Sequence, residues 1–196
     1  VETRNPKPET QNPIYLGLDT ATPFLSLALW SDEGVLATFA KTIGRDHAKR
    51  IILELDILFK TANVLPSQLA GIGVGVGPGS YTGVRVGIAT AKALAKGLNV
   101  PLVGVRTLSA MAFTALRENE TAIVALDARK GSVYAGVFQR KDTSILESMP
   151  VQKITAQSLR EQHLELAFYQ DVCPDASYIA RQAMAENTAT VEAVYL

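Results

Sequence analysis

The chain has 196 residues, 47% of them hydrophobic, and its 19 basic side chains balance 19 acidic ones. That length builds a sizeable core as one domain or two small ones, and zero net charge supplies no global field toward nucleic acid or an acidic membrane. Cys173 is the only cysteine, which excludes an internal disulfide and multi-cysteine metal sites and suits a reducing compartment; no apolar run reaches the roughly 20 residues of a membrane span.

Residues 1–13 carry Pro6, Pro8 and Pro13 among polar side chains, lack the apolar centre of a signal peptide and read as a flexible leader. Residues 14–19 form an apolar strand ending in Asp19. After a turn at 20–23, further strands over 24–30 and 35–42 complete an antiparallel meander. Asp46 is expected to cap a helix in which Ala48, Ile51, Ile52, Leu55, Leu58, Phe59 and Ala62 recur at helical spacing, ending near Asn63.

The stretch AGIGVGVGPGSYTGVRVGIATAKALAKG, residues 70–97, reads as strand, glycine turn and helix. Its strand, expected over 70–76 in the sheet interior, alternates glycine with Ile72, Val74 and Val76, so one face is apolar and the other bare; something must approach the bare face closely. Ser80 is a natural N-cap. Gly83, Gly87 and the alanines of the following helix call for close packing against a neighbour, because each glycine costs about 1 kcal/mol of helix propensity. Three catalytic motifs fail on spacing. A P-loop counted from Gly77 meets Thr82 and no lysine. The dinucleotide fingerprint meets Ser80 or Thr82 where it needs glycine, and a hydrolase elbow centred on Ser80 is flanked by Pro78 and Thr82.

A short strand at 102–105 and a helix over 107–117 complete a first half of α/β type. The second half echoes the first: IYLGLDTATPFLSLALW from Ile14 and AIVALDARKGSVYAGVF from Ala122 share an apolar strand, Leu-Asp, a turn and a second apolar strand. This suggests duplication, with subdomains at 14–117 and 121–196, and places Asp19 and Asp127 either at a common cleft or simply as turn formers. Beyond Ile145 the pattern predicts a strand to about Lys153, a helix capped by Thr155 and a helix over 175–186. No glycine follows Gly136, which suggests that a turn-bearing loop is absent between His163 and Asp171.

The motifs LGLDTAT, GRDHAKRI, GVGPGSYTGVRVG and LDARKGSVY, in this order, resemble the TsaB (YeaZ) family. The resemblance implies a duplicated actin-like (ribonuclease-H-like, ASKHA) α/β fold, two subdomains with mixed sheets flanked by helices. It implies a cytoplasmic, non-catalytic scaffold for the threonylcarbamoyl modification of adenosine next to the anticodon in tRNAs that read codons beginning with A. Such a protein pairs with the catalytic paralogue TsaD, helps recruit the ATPase TsaE, meets tRNA only through the complex, and is a homodimer in isolation. TsaD holds a metal through H-x-x-x-H; the matching positions here are Thr107 and Met111, poor ligands for such ions, so neither metal nor cofactor is expected. The helices at 46–62 and 80–96 are expected to form the partner interface through His47, Ile51, Leu55, Tyr81, Arg85, Ala89 and Lys92, with His47 at the surface. Two other classes compete. One is a metal-dependent nucleotide hydrolase built on Asp19, Thr20 and Asp127, or a glycoprotease-like peptidase; the other is an RNA-binding module using Arg85, Lys92 and Lys96.

Overall fold

The computed structural model describes residues 12–44, 46–185 and 191–194, so nearly all of the expected leader and the expected helix end at Glu186 lie outside the described residues. Strands β1 (Ile14–Asp19), β2 (Phe24–Ser31) and β3 (Gly34–Thr42) pair antiparallel. Helix α1 (His47–Ala62) stops at Asn63, which turns left-handed at φ 53°. Asp46 does not cap it as expected. Its φ of −90° and ψ of 16° depart from the extended conformation that aims a side chain at the first turn, and its carboxylate lies 3.1 Å from Lys49 Nζ instead.

Strand β4 (Leu69–Gly75) runs parallel to β1, and β5 (Leu102–Val105) parallel to β4. Between them lies α2 (Tyr81–Leu98), where the Ser80 hydroxyl accepts the Gly83 N–H at 3.3 Å as a true N-cap. After α3 (Thr107–Ala115) the chain repeats its plan with β6 (Thr121–Asp127), β7 (Ser132–Lys141) and β8 (Ser144–Thr155), again antiparallel. Helix α4 (Ala156–Gln162), capped by the Thr155 hydroxyl, leads to β9 (Ala167–Gln170) and α5 (Ala176–Ala185). The order β3-β2-β1-β4-β5 in the first sheet and β8-β7-β6-β9 in the second displays the duplication. The fold is the expected α/β duplication, two sheets flanked by helices.

Strand β9 was not expected, because four residues, AFYQ, are too few to show a period; it pairs parallel with β6. The stretch after Gly136 makes its tight turns without glycine. Asp142 and Asp171 take the left-handed conformation, at φ 50° and 54°, that glycine would otherwise supply. The link from α4 to β9 closes with the Leu166 N–H on the His163 carbonyl.

The bare face of β4 has an occupant. Gly17 and Gly73 are register partners on β1 and β4, and a methyl group on either would overlap backbone of α5, the Ala176 carbonyl at Gly17 and the Ile179 carbonyl at Gly73. On the opposite face Leu16, Leu18, Ile72 and Val74 share a core with Ile51, Leu55 and Leu58 of α1 and with Val84 and Ile88 of α2. Helix α3 packs elsewhere: Leu108, Met111 and Ala112 join Ala122, Val124 and Phe138 of the second sheet. The halves thus exchange helices, since α3 covers the sheet that follows it and α5 the sheet made first.

Substituting Gly73→Ala should destabilise the protein by about 3 kcal/mol in urea unfolding, because the intruding methyl meets rigid backbone. By contrast Gly97→Ala, in the last turn of α2 with open space around it, should stabilise it by about 0.5 to 1 kcal/mol. Equal effects at the two positions would contradict the close approach of α5.

Candidate functional site

Strand β1 delivers Asp19 to the sheet face that α5 covers, and the side chain is fully buried. Its Oδ1 accepts the Ala21 N–H at 2.7 Å and its Oδ2 the Thr107 hydroxyl at 2.7 Å. The same hydroxyl accepts the Gly77 N–H at 3.1 Å. The carboxylate rests on Gly75, where a methyl would overlap Oδ2. Burial pushes the Asp19 carboxyl up to about 6, against the opposing pull of the bonds from Thr107 and Ala21.

The turn after Asp19 is tied to the start of α2. Thr20 Oγ1 donates to the Gly83 carbonyl at 2.7 Å, and the Ser80 N–H donates to the Ala21 carbonyl at 2.7 Å. Added methyls at Gly79, Gly83 and Gly87 would overlap Ala21 O, Thr20 O and Thr20 Oγ1 respectively. The small residues of α2 therefore serve the protein's own turn, and Ala91 and Ala95 its own core. Ala89 and Ala93 are exposed on the outer face of the helix.

A cleft of about 760 Å³ separates this turn from its duplicate, with Phe24, Ser80, Asp127, Arg129, Tyr134 and Asp171 among its walls. Asp127 Oδ1 accepts the Arg129 N–H at 3.0 Å, the same two-residue turn bond that Asp19 makes to Ala21. Asp171, unnoticed in the sequence, accepts the Asp127 N–H at 2.8 Å. Only one of the duplicated acids faces the cleft: Asp127 lines it, whereas Thr107, Gly75 and Ala21 close over Asp19. Thr20 is likewise fully buried. Cys173 offers no nucleophile, since burial and then the Asp19 charge push its thiol up to about 11. The Ser80 hydroxyl is spent on its cap. Thr107 is spent on Asp19, and Met111 is fully buried in the second core. Among the described residues no three His, Cys, Asp or Glu side chains cluster as metal ligands.

The outer surface of α1 and α2 is the second candidate. His47, Ile51 and Leu55, expected at a partner interface, are buried beneath it because they lie on the α1 face turned toward the first sheet. The His47 ring donates from Nε2 to the Phe24 carbonyl at 2.9 Å, so it fastens α1 to β2. The exposed apolar side chains of α1 are instead Ile52, Leu53 and Ile57, at 63%, 52% and 46% exposure. Their signal in the sequence was the surplus of aliphatic residues in IILELDIL over what one helix face can bury. Tyr81, Arg85, Ala89 and Lys92 of α2 are exposed.

The family model described as "TsaD: tRNA N6-adenosine threonylcarbamoyltransferase" matches residues 34–187. The chain is 38% identical over 132 residues to the tRNA threonylcarbamoyladenosine biosynthesis protein TsaB of Escherichia coli, covering 66% of this chain and 57% of that one. It is 32% identical over 139 residues to TsaB of Bacillus subtilis, covering 71% and 61%. The chain thus spans less than two thirds of either relative. Among solved structures, YeaZ from Pseudomonas aeruginosa superposes with a TM-score of 0.79 at 26% identity, covering 94% of this chain and 100% of that one. A second Pseudomonas aeruginosa protein, described as uncharacterized with similarity to peptidase YEAZ, gives 0.82 at 25% identity, covering 94% and 99%.

Asp19 imposes a pH dependence. Its carboxyl rises from 3.8 to about 6 on folding, so the folded state holds its proton more tightly. The resulting stability is full below about pH 4 and lost as pH rises through about 6. Between about pH 3 and about pH 8 the wild type should lose about 3 kcal/mol relative to Asp19→Asn in urea unfolding. Parallel curves for the two proteins would show that the buried carboxylate ionises freely.

Proposed function

The chain belongs to the TsaB (YeaZ) family, and from that premise we propose that it acts in the biosynthesis of threonylcarbamoyladenosine in tRNA as a non-catalytic scaffold. It docks on a catalytic TsaD-type paralogue and helps recruit the ATPase TsaE. Through that complex it serves adenosine next to the anticodon in cytoplasmic tRNAs reading codons that begin with A, with no tRNA contact of its own.

The sealing of Asp19 carries this reading. A metal in the cleft would meet only the carboxylates of Asp127 and Asp171, with no third ligand grouped beside them among the described residues, and the groups that would have to help, Asp19 and Thr20, are bonded to backbone and to Thr107. Exposed large apolar side chains are scattered over the surface, but α1 gathers three of them, Ile52, Leu53 and Ile57, and α2 presents Tyr81 and Ala89. This is the composition of an interface. We place the paralogue there, with a second copy of the chain occupying the same surface in isolation. No described helix is long and apolar enough to cross a membrane, in keeping with a partner in the cytoplasm.

Purified alone and supplied with threonylcarbamoyl-adenylate and tRNA, the protein should transfer nothing; adding the TsaD-type paralogue should restore transfer. Transfer by the chain alone would overturn the scaffold reading. Ile52→Asp should leave the protein folded, because the side chain is mostly exposed, yet shift it from dimer to monomer in sedimentation. An unchanged dimer would move the interface elsewhere.

A further inference from the structure

We propose that the outer face of α2 selects an acidic helix of a partner chain over a second copy of this one. The inference rests on the α1–α2 docking reading above and adds the chemistry of the occupant. Helix α2 carries Arg85, Lys92 and Lys96 and no acidic residue in its 18 residues, and all three cations are exposed. With 3.6 residues per turn, Tyr81, Arg85, Ala89, Lys92 and Lys96 fall within an arc of about 80°, so the cations form one stripe. Along it runs a shallow groove of about 440 Å³, bordered by Ile88, Ala89 and Val191 and by the charged Arg85, Lys92 and Glu192.

The two helices differ in how their charges are spent. On α1, Lys49 pairs with Asp46 at 3.1 Å, Lys60 with Asp56 at 2.7 Å, and Arg50 with Glu54. The exposed apolar residues of α1 are therefore interleaved with balanced charge and serve any complementary surface. On α2, Arg85 lies over the Tyr81 ring at 4.0 Å and shares the groove with Glu192. Lys92 and Lys96 have no ion-pair partner among the described residues, and they carry the selective charge.

In a two-fold contact centred on α2 the stripe meets itself, cation against cation, and the acids of α1 are already held by their own helix. A partner helix bearing carboxylates at four- and seven-residue spacing turns the same stripe into attraction and speeds encounter. Apolar area on α1 thus supplies affinity for either occupant, and α2 decides between them.

The two associations should then respond to salt in opposite directions. Self-association, followed by sedimentation equilibrium, should tighten between about 50 and about 400 mM sodium chloride as repulsion is screened. Binding to the TsaD-type paralogue should weaken by about tenfold over the same range. The double reversal Lys92→Glu with Lys96→Glu should likewise tighten the dimer and weaken paralogue binding by tenfold or more. If salt and the reversal move both associations together, or neither, charge does not select the occupant and the proposal falls. Leu53→Asp separates the two readings: if paralogue binding survives it, the docking surface itself is misplaced, whatever the charges do.

Discussion

The fold closes on one contact, the backbone of α5 laid against the paired glycines Gly17 and Gly73. No side chain could stand between helix and sheet there, because the Ala176 and Ile179 carbonyls already occupy the space. The contact brings a helix of the second half onto the sheet of the first. The reciprocal arrangement, α3 against the second sheet, carries Leu108 and Met111 the other way. Arg106, at the entry to α3, donates from one guanidinium nitrogen to both carboxylate oxygens of Glu147 of β8, at 2.8 and 2.7 Å. Each half therefore holds part of the other's core, and removing either helix would expose a sheet face.

The same exchange decides the chemistry available. Asp19 sits on the glycine face, one register step beyond the Leu18–Val74 pair, and the start of α3 brings Thr107 over it. A carboxylate that could have faced the cleft becomes a fastener between β1, the loop at Gly77 and the entry to α3. Its duplicate Asp127 keeps the turn bond and stays exposed, because at that point the second half has only Asp171 to set beside it. The repeated turn thus yields a sealed acid in one half and an open one in the other.

Much of this was legible in the chain. The alternating glycines of β4 announced a close neighbour, Ser80 and Thr155 announced helix starts, and the repeated Leu-Asp announced duplication. The identity of the neighbour was not legible. A glycine face states that something comes near, and α2, next in sequence, was the natural choice for a small-residue partner; only the topology shows that α5 takes the place and that the glycines of α2 receive Thr20. His47 was misread because a helix period says which residues share a face and not which face is inward. The surplus of aliphatic residues on α1 could have been noticed, since Ile52, Leu53 and Ile57 fall outside the stripe that Ile51, Leu55 and Leu58 define. Four-residue β9 had no period to show.

The exchanged helices also set an order of events during synthesis. The first sheet has all its strands once Val105 is made, but its cover is α5, the last helix of the described chain, so its glycine face stays wet while the whole second sheet is still being translated. The second sheet waits for nothing, because α3 precedes it. A nascent chain should consequently gain its C-terminal sheet and its cover almost together. Its N-terminal sheet, finished earlier, closes only when contacts of long sequence separation form at the end. The part of the molecule that is made first is in this sense the last to become native.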